Sequence, residues 1–145
     1  MEIKVRSIER GFTLIEIMIV VIIIGLLAAL VAPRLFWKLT TAKQKSTKAQ
    51  IELFGTALDA FRLDSGRYPT TVEGLKALRE KPAGVVNWSG PYLPKEVPVD
   101  PWGKPYTYKS PGEHGEYDLF SYGLDGTEGG EGENQDVVSW KDVGK

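Results

Sequence analysis

The sequence predicts an α+β fold: a long N-terminal helix, its first half transmembrane and its second half amphipathic, packed on a small C-terminal antiparallel sheet with loops. Three observations predict it. The apolar residues gather in one run, FTLIEIMIVVIIIGLLAALVA from Phe12 to Ala32, broken by the single charge of Glu16. Helical periodicity then persists through a more polar stretch, with Leu39, Ala42, Ala49, Leu53, Phe54, Ala57, Leu58 and Phe61 at three- and four-residue intervals. Beyond Gly66 the chain breaks into short aromatic segments between Gly- and Pro-rich turns.

Bulk properties narrow the function classes. A chain of 145 residues with net charge -1 fits one small domain and lacks the basic surplus that nucleic-acid binding needs. With no cysteine it has no thiol chemistry and no thiolate metal site. Its one histidine, His114, lies in a Pro-Gly-rich turn with no nucleophile at catalytic spacing, so an enzyme is not expected.

The first element is a transmembrane segment over residues 12–33. As a helix the run spans about 30 Å at ~1.5 Å per residue, the thickness of a bilayer's hydrocarbon core. It is too long for a cleaved secretory signal, whose apolar stretch is about 7–15 residues. Flanking charge does not settle the topology, because Arg34, Lys38, Lys43, Lys45 and Lys48 after the run outnumber Lys4, Arg6 and Arg10 before it. Gly25, Ala28, Ala29 and Ala32 allow close helix approach in lipid, and Pro33 should kink or loosen the helix.

The second element, residues 34–64, continues the helix amphipathically to Ser65-Gly66, where Gly66 suits the left-handed cap and Pro69 follows. A helix from Phe12 to Asp64 would be about 80 Å long at ~1.5 Å per residue. Its outer half should bury its stripe on a globular head formed by residues 65–145. Within that head Thr71–Arg79 reads as a short helix with Leu75 and Leu78 inward. Thr107, Tyr108 and Tyr117–Tyr122 read as short strands.

The junction before the run, Arg10-Gly11-Phe12-Thr13-Leu14-Ile15-Glu16, carries the chemistry. A carboxylate in hydrocarbon costs about 2.5–3.5 kcal/mol and calls for a partner. On an isolated helix, snorkelling of Glu16 to headgroups and pairing with a cation both remain open. The string resembles the class III signal of type IV pilins and pseudopilins: a short charged leader ending in Gly, an aromatic residue, and Glu five residues into the mature chain. The resemblance implies that a prepilin peptidase removes residues 1–11 by cutting between Gly11 and Phe12 on the cytoplasmic face, and methylates the Phe12 amine. It also implies that Glu16 pairs with the Phe12 amine of a neighbouring subunit during assembly.

Further on, GRYPTT at residues 66–71 with EGL at 73–75, DPWGKPY at 100–106 and SPGEHGEYD at 110–118 resemble the major pseudopilin family of type II secretion systems over nearly the whole chain. The implied fold is pilin-like. The implied function is a subunit that polymerises into the pseudopilus, as a single-pass inner-membrane protein with its C-terminal domain in the periplasm. The implied partners are further copies of the chain, other pseudopilins, inner-membrane secretion components, the prepilin peptidase and the membrane. A type IV pilin of a surface or DNA-uptake filament is the alternative; many such pilins close with a disulfide, which this chain cannot form.

From Glu113 to Asp136 there are eight acids and no Lys or Arg. Such a loop repels itself, so it is either solvated or held by a cation, and composition favours the solvated form. The EF-hand pattern fails, since Thr127 and Gly129 stand where acids belong. The family resemblance instead implies one structural Ca²⁺ in the loop 122–136, held by Asp125 and Asp136 with carbonyls of Tyr122 and Thr127. Gln135 stands where some relatives have another aspartate.

Overall fold

A computed structural model describes residues 11–141. The leader expected over residues 1–11 therefore lies outside the described residues, apart from Gly11. The element order is a helix α1 (Leu14–Ser65), a 3-10 turn (Leu75–Leu78), strands β1 (Thr107–Lys109) and β2 (Asp118–Ser121), a second 3-10 turn (Gly132–Asn134) and strand β3 (Val137–Val138). The chain divides into two compact units between Lys38 and Leu39.

The first unit is the apolar part of α1. Thr13 caps its start, its hydroxyl accepting from the Glu16 amide at 3.3 Å. Thr13-x-x-Glu16 thus has the spacing of a capping box, and Glu16 lies where the helix dipole favours an anion. None of the side chains from Leu14 to Leu39 is buried, and the segment is long and apolar enough to cross a membrane. The helix runs on through Pro33, which leaves the Ala29 carbonyl without an amide donor.

In the second unit α1 buries Thr40, Gln44, Thr47, Ile51, Phe54, Ala57, Leu58 and Phe61. Their alternating three- and four-residue steps make one continuous stripe. The sequence expectation is correct from Phe54 onward and wrong before it: Leu39 and Leu53 stand half exposed, and Ala42 and Ala49 face outward too. The reason is the nature of the covering surface. Over the first half of the stripe lies the acidic loop, which offers carbonyls, so Gln44 fits where a leucine would not, while Thr47 Oγ1 donates to the Lys43 carbonyl of its own helix at 2.9 Å. Gln44 Nε2 donates to the Gly132 carbonyl at 2.7 Å and to Gln135 Oε1 at 3.2 Å. Over the second half lies the hydrophobic core, where Phe54, Leu58 and Phe61 join Leu75, Leu78, Leu93, Tyr108 and Leu119. Aromatic edges complete it, with Phe54 against Tyr106 at 5.1 Å and Phe61 against Tyr92 at 5.7 Å.

The helix ends as expected. Gly66 takes φ +79° and its amide donates to the Arg62 carbonyl at 2.8 Å. The predicted helix over Thr71–Arg79 is shorter than expected, a turn followed by the 3-10 segment, though Leu75 and Leu78 do face inward. A capping box fixes it: the Thr70 amide donates to Glu73 Oε2 at 2.7 Å and the Glu73 amide to Thr70 Oγ1 at 3.3 Å. The sheet is antiparallel in the order β1-β2-β3, pairing Tyr108 with Leu119 and Phe120 with Val138. β3 is the strand the sequence reading missed; two valines after an acidic loop carry too little alternation to be recognised. It is held to α1 by Lys48, whose ammonium donates to the carbonyls of Val138, Ser139 and Lys141 at 2.9, 3.3 and 2.8 Å.

Candidate functional site

Two places carry the residues singled out from the sequence. At the helix start, Gly11 precedes the first turn with open space around it, and Phe12 is 77% exposed. Glu16 occupies the third helical position. A favourable dipole at a helix N-terminus is worth about 0.3–1 kcal/mol, and a carboxylate in hydrocarbon costs about 2.5–3.5 kcal/mol. In hydrocarbon the cap alone would therefore leave about 2 kcal/mol of that cost uncompensated.

The second place is the acidic loop, suspended from a buried carboxylate. Asp100 is 3% exposed. Its Oδ1 accepts from the amides of Trp102 at 3.0 Å and Lys104 at 2.8 Å, folding the Asp-Pro-Trp-Gly turn, which the Lys104 carbonyl closes by accepting from the Asp100 amide. Its Oδ2 accepts from Ser121 Oγ at 2.5 Å, and Ser121 Oγ in turn accepts from the Gly123 amide. One side chain thus ties a distant turn to the end of β2 and the start of the loop. Burial, and then the Asp100 charge, pushes neighbouring Tyr106 up to about 12.

The loop closes on itself where the Leu124 amide donates to the Glu133 carbonyl at 2.8 Å. The two arms meet at Gly123, whose φ is +68° and where a Cβ would stand 2.7 Å from the Glu133 oxygen. Asp125 Oδ1 accepts from the Thr127 amide at 3.1 Å, and Asp136 Oδ2 from the Gly129 amide at 2.9 Å. The other oxygen, Asp136 Oδ1, is buried with no hydrogen-bond partner. Burial first, and then the charges of Glu128 and Asp125, hold the Asp136 carboxyl above its ordinary value. An orphaned carboxylate oxygen beside two other acids is a chemical environment that would suit a cation.

Among the described residues no three His, Cys, Asp or Glu side chains converge as a metal cluster, so a cation here would depend on carbonyl oxygens as well as Asp125 and Asp136. That is calcium's preference rather than zinc's. Gln135 is engaged elsewhere, its side-chain oxygen accepting from Gln44. Tyr122 packs edge-on to Phe120 at 4.9 Å and, with Glu128 and Asp136, lines a cleft of about 120 Å³.

His114 shares that cleft. Its Nδ1 lies 3.0 Å from Asp118 Oδ2, and its ring stacks on Trp140 at 3.9 Å. Asp118, 3% exposed, also accepts from the amides of Glu113 and His114. Burial alone would raise its carboxyl, but the His114 ring and these amides together bring it below the ordinary value. His114 is thereby a turn-packing residue, in keeping with the sequence reading. The sequence reading missed Asp100, Asp118, Ser121 and Gln44. An Asp preceding a Pro-x-Gly turn is a readable signal for Asp100, whereas nothing local marks Gln44.

Comparison with known proteins agrees with this architecture. A family model described as type II secretion system protein G matches residues 34–140, and a prokaryotic N-terminal methylation motif matches residues 6–32. The chain is 46% identical over 138 residues to the type II secretion system core protein G of Pseudomonas aeruginosa, covering 93% of this chain and 97% of the relative. It is 44% identical over 140 residues to that of Vibrio cholerae, covering 94% of each. Among solved structures, the major pseudopilin of the enterohaemorrhagic Escherichia coli type 2 secretion system matches with TM-score 0.63 at 34% identity, over 71% of this chain and 87% of that one. With its capped apolar helix, three-stranded sheet and acidic loop, the chain belongs to the type II secretion system protein G family, the major pseudopilins.

Proposed function

We propose that the chain is the structural subunit of a type II secretion pseudopilus, stored in the inner membrane by residues 12–33 and assembled after its leader is cut away. The observation that carries this is the lone carboxylate of Glu16 in the first turn of an apolar helical segment, residues 14–39, with no buried side chain. Cleavage after Gly11 creates an amine at Phe12, and a neighbouring copy's amine supplies the missing cation. Trimming thereby licenses stacking, because no amine stands there beforehand. The periplasmic side is where residues 39–141 act, and the role is scaffolding rather than catalysis.

The acidic loop takes one Ca²⁺, with Asp125 and Asp136 as carboxylate ligands and the carbonyls of Tyr122 and Thr127 completing the set; Gln135 stays with Gln44. The orphaned Asp136 Oδ1 supports this reading. Bound there, the ion would screen the loop's acids from one another and hold its two arms together.

The test is co-expression of the full chain with a prepilin peptidase. Mass spectrometry should find a mature chain starting at methylated Phe12, and electron microscopy should find filaments. Glu16→Ala should be processed but should not assemble. Filaments formed as readily by Glu16→Ala as by the parent would overturn the reading.

A further inference from the structure

From Asp125 to Asp136 the loop carries Asp125, Glu128, Glu131, Glu133 and Asp136 without an internal cation. It nevertheless folds against basic groups brought from elsewhere. Lys43 on α1 meets Glu133 at 3.3 Å. The first turn of the loop is served by a different group, Lys104 of the Asp-Pro-Trp-Gly-Lys turn. Its ammonium donates to the Leu124 carbonyl at 2.5 Å. The stem lies across Gly126, where a Cβ would stand 2.6 Å from Nζ, 3.3 Å from Cε and 3.4 Å from Cδ. Gly126 takes φ +73°, so the backbone conformation calls for glycine at that position.

Both ends of this bridge hang from one carboxylate. Asp100 accepts from the Lys104 amide on one oxygen and from Ser121 Oγ on the other, and Ser121 Oγ accepts from the Gly123 amide. The base of the lysine and the root of the loop are therefore fixed relative to each other, and only the lysine side chain must be ordered. A group so tethered acts at an effective concentration of about millimolar or above, comparable with a free cation in solution.

We propose that Lys104 is the loop's resident cation: its ammonium holds the Leu124–Thr127 turn in place when no divalent ion is bound. The first turn of the loop is then formed before calcium arrives, and calcium bridges it to Asp136. This last step rests on the calcium reading above; the role of Lys104 in the calcium-free chain does not.

Hydrogen exchange on the full chain in detergent micelles separates the two. In chelator, Lys104→Met should raise exchange of the 122–127 amides roughly tenfold, about 1.4 kcal/mol of local protection. The β2 amides should keep parental rates, and Lys104→Arg should retain protection by supplying another donor cation. In millimolar calcium, Lys104→Met should recover parental protection. Parental exchange of Lys104→Met in chelator would overturn the proposal, as would exchange left unrepaired by calcium that does protect the parent. A parent indifferent to calcium would refute the calcium reading while leaving the chelator comparison to decide the role of Lys104.

Discussion

Asp100 is the residue whose removal should cost the globular unit most per atom. Its side chain accepts three hydrogen bonds, from the amides of Trp102 and Lys104 and from the Ser121 hydroxyl, at 3.0, 2.8 and 2.5 Å, in a site only 3% exposed. Hydrogen bonds to a charged acceptor are worth about 1.5–3 kcal/mol each, and donors left unpaired in a buried site keep most of that cost. Asp100→Ala should therefore destabilise by about 4 kcal/mol, allowing for water reaching part of the vacated space. For a domain of this size that is a fall in Tm of about 15–25 °C. Asp100→Asn retains one oxygen for the two amides, and the Ser121 hydroxyl can turn to accept from the new amide. That change should cost only about 1 kcal/mol. The assay is thermal unfolding of the full chain in micelles followed by tryptophan fluorescence. If Asp100→Ala lay within about 1 kcal/mol of the parent, or if Asp100→Asn cost as much as Asp100→Ala, the account of the carboxylate as the loop's anchor would fail.

Three further outcomes are expected. Glu73 is held at about 2, first by hydrogen bonds from Arg67 and then, against burial, by the Thr70 amide. Its folded value lies below its unfolded one, so its contribution is present above about pH 4.5 and is lost as pH falls toward 2; screening limits it to about 2 kcal/mol. Glu73→Gln should flatten that part of the Tm–pH curve. Asp136→Asn should raise the Tm of calcium-free protein at neutral pH, because it removes a carboxylate whose charge is disfavoured there, and should abolish any rise on adding calcium. Phe54→Ala, at a fully buried position, should cost about 3–5 kcal/mol, whereas Leu53→Ser next to it, at a side chain 51% exposed, should change stability by less than about 0.5 kcal/mol in chemical denaturation of the dispersed chain.

The two parts of α1 were not equally legible. The apolar run and its single acid are visible in sequence because a bilayer would be a uniform solvent, so length and composition alone mark a segment able to cross it. The stop at Gly66 is similarly local, since a left-handed cap is a property of one backbone position. The Thr13-x-x-Glu16 and Thr70-x-x-Glu73 caps were readable by the same logic and were overlooked. The first half of the buried stripe is not legible because Gln44 is covered by a loop about 90 positions further on, and no periodicity announces a polar partner. β3 is two residues long and exists through its pairing with β2.

The apolar run, the length of the helix, its glycine stop and the family are all legible in the chain, since each depends on local chemistry or on strings of adjacent residues. Which face of α1 is buried, the anchoring of the acidic loop by Asp100, the orphaned oxygen of Asp136 and the reach of Lys104 to Leu124 all emerge from the folded chain. These depend on groups far apart in the chain being brought within hydrogen-bond distance, and a hydrogen bond between remote residues leaves no periodic trace in either partner's neighbourhood.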